Sequence, residues 1–155
     1  MSIQIKRILY PTDFSESSEH ALTYALSFAE QYGAAVYLLH VIEPITAVPA
    51  IYFDPAMTFE DRPELEKNVE QLLNEAVPKE VKERIEIKPL IRRGAPFLEI
   101  IRTAREEEID LIIIATHGRT GLAHMLLGST AERVVQKAPC PVLSVKHPEH
   151  EFVMP

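Results

Sequence analysis

The chain is predicted to be an α/β domain: a doubly wound open sheet of five parallel strands, in the order 3-2-1-4-5, with helices on both faces. Three observations carry the α/β class and the parallel sheet. Short runs of branched apolar residues lack polar alternation, as expected of strands covered on both sides. Segments with apolar residues at three- and four-residue spacing lie between these runs. The two kinds of segment alternate along the chain, which favours right-handed crossovers in one sheet.

The first strand is read at Ile8-Leu9-Tyr10. A helix follows whose stripe is Ala21, Leu22, Ala25, Phe28, Ala29 and Tyr32. Asp13 with Glu16, or Ser15 alone, has the chemistry to cap its start, and Gly33 suits the left-handed turn at its end. Val36-Tyr37-Leu38-Leu39 is the second strand. The stretch from Ile42 to Arg62, with Pro44, Pro49 and Pro55 among Ile51, Tyr52 and Phe53, is too long for a plain connection and reads as a lid, a partner contact or a flap.

A second helix is expected from Asp61, capped by the Asp61/Glu64 pair, through Leu65, Val69, Leu72, Leu73 and Ala76 until Pro78. Ile85-Glu86-Ile87 through Ile91 forms a third strand, and Pro96 opens a third helix burying Phe97, Ile100, Ile101 and Ala104. Leu111 to Ile114 is the fourth strand. A last helix starts at Ser129, with Glu132 at capping-box spacing and Val134, Val135 and Ala138 inward, and ends at Pro139 before the strand Val142-Leu143-Ser144-Val145. Residues 1–147 thus form one domain and 148–155 a short tail.

With 155 residues there is room for one core. Apolar residues make up 46% and charged ones 25%, the balance of a globular protein. A net charge of −7 without a basic run argues against nucleic-acid binding, which depends on Lys and Arg meeting phosphates. The stretch Met1 to Arg7 carries no apolar leader, and no segment approaches the roughly 18 apolar residues of a membrane span, so a cytoplasmic location is expected. The single cysteine, Cys140, between two prolines and without a basic neighbour, reads as a small buried residue.

Ligands of open α/β sheets sit at the carboxyl ends of the strands, where the winding reverses. Those ends here are Pro11-Thr12-Asp13, His40-Val41, Arg92-Arg93-Gly94 and Ala115-Thr116-His117-Gly118. The last opens a run through Arg119, Gly121 and Gly128 to a helix start at Ser129 and Thr130. Unpaired N–H groups, glycines and hydroxyls in such a run suit a phosphate. The alternative for each isolated residue is plainer, a turn glycine or a capping serine. His117 and His124 lack the Cys or carboxylate spacing of a zinc site, and His147 and His150 share a charged tail with no specific role. Asp110 precedes the fourth strand at the amino end and reads as a turn residue.

The run resembles the nucleotide loop of the universal stress protein family, with Gly118 as the second glycine of its Gly-x-x-Gly and Gly128-Ser129 as the closing pair. The resemblance extends from Arg7-Ile8-Leu9-Tyr10-Pro11-Thr12-Asp13-Phe14-Ser15 to Ala131-Glu132-Arg133-Val134-Val135 and Ala138-Pro139-Cys140-Pro141-Val142. It implies a five-stranded parallel sheet, a homodimer through the last strand and, in one branch, ATP or AMP between strands one and four. By position, Pro11 and Thr12 would line that pocket and Val41 would meet the adenine through its backbone. Asp13 would approach the ribose or a phosphate-bound Mg²⁺, or serve only as a helix cap. Ala115, Thr116, His117, Gly118, Arg119, Gly121, Gly128, Ser129 and Thr130 would surround the phosphates, Arg119 either pairing with one or standing in solvent. Ala115 stands where the nucleotide-binding branch has its first glycine, which implies weakened or unchanged binding.

The expected function is an adenine-nucleotide-binding regulatory protein of the stress response. The alternatives are a nucleotide-free stress protein acting through its dimer surface, and a slow ATPase or phosphotransferase. Against catalysis stand the absence of the P-loop lysine motif and of paired carboxylates. A receiver domain would need an acceptor aspartate where Arg92-Arg93-Gly94 stands, and a flavin-phosphate loop would not carry Asp13 and Glu16.

Overall fold

The computed structural model describes residues 1–44, 63–117, 127–148 and 154–155. Its strands are β1 (Arg7–Pro11), β2 (Ala35–Ile42), β3 (Ile87–Arg93), β4 (Leu111–Ala115) and β5 (Val142–Val145). The helices are α1 (Glu16–Tyr32), α2 (Pro63–Ala76), the short α3 (Lys79–Lys82), α4 (Pro96–Glu106) and α5 (Ser129–Lys137). The strands form one parallel sheet in the order β3-β2-β1-β4-β5, as predicted. Ile8 pairs with Val36 on one side and Leu111 on the other, so the winding reverses between β1 and β4.

Successive strand residues point to opposite faces, and each face has its own core. Ile8, Tyr10, Val36, Leu38, Leu111 and Ile113 pack under α1 and α2, against Ala21, Leu22, Ala25, Ala29, Val69 and Leu73. Leu9, Tyr37, Leu39, Ile112 and Ile114 pack under α4 and α5, against Ile100, Ala104, Ala131 and Val134. Two-sided burial explains why these strands contain apolar residues at consecutive positions. Each fully buried aliphatic side chain contributes about 1.5–3 kcal/mol relative to exposure.

Several local expectations are corrected. Tyr32 and Val135, expected on buried faces, are exposed, as is Leu72. Leu72 and Val135 each adjoin a buried neighbour, Leu73 and Val134, and consecutive helical residues lie about 100° apart, so only one of each pair meets the sheet. Tyr32 ends α1 and stacks on Phe28 instead. At the start of α1 the cap is Ser15, which accepts from the Ser18 N–H, while Asp13 Oδ1 accepts from the Ser15 N–H at 3.0 Å. Gly33, at φ 66°, closes that helix as expected.

Pro78 starts the unforeseen turn α3 rather than merely ending α2. Ile85 donates its N–H to Val81 O and so belongs to that turn, which delays β3 to Ile87. Ser129 is the first residue of α5; Gly128 is the cap and offers no side chain. Asp110 does more than turn the chain: its Oδ2 accepts from the N–H groups of Lys6 (2.8 Å) and Arg7 (2.9 Å), clasping the entry to β1. Asp61 and the stretch 45–62 lie outside the described residues.

Candidate functional site

At the carboxyl edge of the sheet, β1 ends on an over-tied turn. Thr12 donates its N–H to Leu39 O (2.8 Å), while its Oγ1 accepts from the Phe14 N–H (3.0 Å) and the Ser18 hydroxyl (2.8 Å). The Tyr10 hydroxyl donates to Ser18 O at 2.6 Å beneath it. Burial pushes the Tyr10 phenol above its ordinary pKa, against the opposing effect of its bonds to Ser18 and Thr12. Phe14 sits at φ 62°, a left-handed conformation that costs a non-glycine residue about 1 kcal/mol. Its ring lies 4.7 Å from that of His40, whose Nδ1 is 2.8 Å from Thr12 O. A carbonyl only accepts, so Nδ1 carries the proton.

Across the gap, β4 ends at Ala115 and the chain continues into the buried Thr116 and His117, with Thr116 Oγ1 and His117 Nδ1 at 3.0 Å. Thr116 donates its N–H to Val145 O (3.0 Å) and accepts at its carbonyl from the Gly128 N–H (2.6 Å). A Cβ on Gly128 would stand 2.9 Å from that same carbonyl, so the glycine exists for close approach of α5 to β4. Its N–H is committed to the Thr116 carbonyl. The ladder of α5 begins with Glu132 N–H to Gly128 O, which leaves the N–H groups of Ser129, Thr130 and Ala131 without carbonyls inside the helix.

A cavity of about 460 Å³ lies between these two strand ends, within the range of small-molecule sites. It brings together Pro11, Thr12, Asp13, Val41, Ala115, Thr116, His117, Gly128, Ser129 and Thr130. Gly118, Arg119 and Gly121 lie outside the described residues. Ala115 is an ordinary strand residue with no positive φ, so its backbone does not require glycine. The starts of α1 (Ser18), α4 (Pro96) and α5 all reach the cavity, and each supplies the positive end of a helix dipole.

Sequence reasoning missed His40, Glu43, Pro96 and Ile100, as well as the α2 residues Leu65 and Val69, all of which line the cavity. His40 stood at a strand end already singled out, and inspecting the helix start after each strand would have found Pro96. Val69 and Ile100 carry no signal beyond core periodicity. Conversely, Arg92 and Arg93 do not line the cavity: β3 is an edge strand, and they pair with Glu106 (3.9 Å) and Glu66 (3.0 Å). Cys140 is half-buried on the α4/α5 face, and burial pushes its thiol up, away from reactivity. Among the described residues no helix is long and apolar enough to cross a membrane.

A sequence model described as the universal stress protein family matches residues 4–146. The universal stress protein MJ0577 of Methanocaldococcus jannaschii is 37% identical over 161 residues, spanning 94% of this chain and 98% of that protein. Its solved structure superposes with a TM-score of 0.72 at 36% identity, over 94% of this chain and 98% of that one. A universal stress protein from Archaeoglobus fulgidus in complex with dAMP (20% identity, TM-score 0.64, 92% and 98% of the two chains) shares the fold. So does a universal stress protein in complex with cAMP (22% identity, TM-score 0.62, 92% and 98%).

Proposed function

The chain belongs to the universal stress protein family, and from that premise we propose that it is an adenine-nucleotide-binding regulatory protein of the stress response, holding AMP or ATP in the β1/β4 cavity. The observation that carries this reading is the start of α5: three main-chain N–H groups with no carbonyl partner inside their helix belong to residues lining the same cavity as the Asp13 turn. The dAMP and cAMP bound by the two neighbours are adenine monophosphates, the chemistry that such an anion site beside an apolar wall suits.

In this reading the adenine lies along Leu39, Val41 and Ile42 and meets the main chain of Val41. The ribose faces Asp13. The phosphates meet Ser129 and Thr130, together with Gly118, Arg119 and Gly121 of the connecting run. The Ala115 methyl narrows the phosphate end without distorting the strand. Among the described residues no three His, Cys, Asp or Glu side chains stand together, so Mg²⁺ would be held chiefly by the phosphates, with Asp13 as its protein ligand. Bound and empty forms would differ in dimer contacts through β5, an edge strand of the sheet among the described residues.

A mass spectrum of small molecules released on denaturing the purified protein tests the ligand class, and adenine nucleotide is expected. Titration calorimetry with AMP and ATP on native protein and Ala115→Gly follows. No co-purified nucleotide and no binding by either form would overturn the proposal. Light scattering with and without AMP tests the dimer.

A further inference from the structure

We propose that His40 is a positioning residue for this cavity, holding the turn that carries Asp13 and sparing the main chain of Val41 for a ligand. This rests on the nucleotide-site reading above. The main-chain ladder between β1 and β2 reaches Thr12 N–H to Leu39 O. In an unbroken parallel ladder the Thr12 carbonyl would next accept from the N–H of Val41. The His40 imidazole takes that carbonyl instead, at 2.8 Å. A side-chain donor thus satisfies a carbonyl where the strands part, and the fork can open without stranding it.

The same ring braces Phe14. Phe14 holds φ 62°, which a side chain of that size adopts only where its surroundings compensate, and its ring sits 4.7 Å from the imidazole. Downstream, the Ser15 N–H binds Asp13 Oδ1, so the orientation of the carboxylate follows from the turn that His40 holds at both ends. Asp13, His40 and Val41 all line the cavity.

The first test needs neither a variant nor a ligand. Imidazole ¹⁵N shifts of the neutral His40 ring in native protein must report the Nδ1–H tautomer, and the Nε2–H tautomer would overturn the proposal. Next, amide hydrogen exchange at Phe14 and Ser15 is measured in nucleotide-free native protein, His40→Phe and His40→Asn. Phenylalanine keeps a ring and loses the donor; asparagine places an N–H where Nδ1 stood. Loss of one such bond predicts exchange and AMP dissociation constants raised several-fold, about tenfold at most, in His40→Phe. His40→Asn, which regains the donor but not the ring, should restore both in part, at comparable urea midpoints for the two variants. Native-like behaviour of His40→Phe, or no rescue by His40→Asn, would refute the role. Native protein that binds no AMP would remove the nucleotide reading alone, with tautomer and exchange still deciding the part played by His40.

Discussion

Replacing Gly128 by alanine isolates the contact on which the α5 end of the cavity depends. Gly128 has φ −65° and ψ 155°, a conformation open to any residue, so alanine carries no backbone penalty there. The added Cβ would lie 2.9 Å from Thr116 O, a main-chain atom already held by the Gly128 N–H at 2.6 Å. Contact of that kind is relieved only by moving the start of α5 off the end of β4. Over-packing of this sort costs about 1–3 kcal/mol, and the stretched hydrogen bond about 1 kcal/mol more at most. A central value of about 2 kcal/mol corresponds to a fall of roughly 4–8 °C in Tm for a chain of this size. Urea unfolding followed by circular dichroism should show a lower midpoint with an unchanged slope. AMP affinity should fall as well, because the N–H groups of Ser129 and Thr130 move with the helix. A midpoint and affinity equal to native would refute the steric reasoning.

Gly33→Ala makes the complementary measurement: nothing lies within 4 Å of its Cβ, but φ is 66°, so the expected loss of about 1–2 kcal/mol is wholly conformational, and Gly33→Asn should lose less. Thr103 Oγ1 is buried with no hydrogen-bond partner among the described residues, so Thr103→Val should raise the urea midpoint, by about 1 kcal/mol in stability; a lower midpoint would reveal a partner. The Tyr10 phenol has a folded pKa above its ordinary value of 10.0, so the unfolded chain releases that proton first. Stability is then level below pH ~10 and falls above it. Urea midpoints from pH ~8 to ~11 should show this fall, and Tyr10→Phe should flatten it while costing about 1 kcal/mol through the lost bond to Ser18 O.

The alternation of strands and helices and the parallel sheet were legible because they follow from hydrophobic period and crossover handedness, both properties of local sequence, whereas the place of the reversal, between β1 and β4, came with the family resemblance. Seven of the cavity residues were legible because they stand at the ends of buried strands, where such a sheet leaves space, and Gly128, Ser129 and Thr130 because a helix start suits an anion. Gly33 announced its left-handed turn because only a residue without Cβ adopts it cheaply.

Other features required the strands to be brought side by side. The duty of Gly128 depends on the Thr116 carbonyl, that of Asp110 on two amides more than a hundred positions away, and that of His40 on a carbonyl of the neighbouring strand. Which of Leu72 and Leu73, or of Val134 and Val135, is buried turned on the angle at which each helix lies on the sheet. Composition and period constrain each element through its own residues, whereas a contact between distant residues exists only once packing has set their separation to within tenths of an ångström, and pattern along the chain carries no such distance.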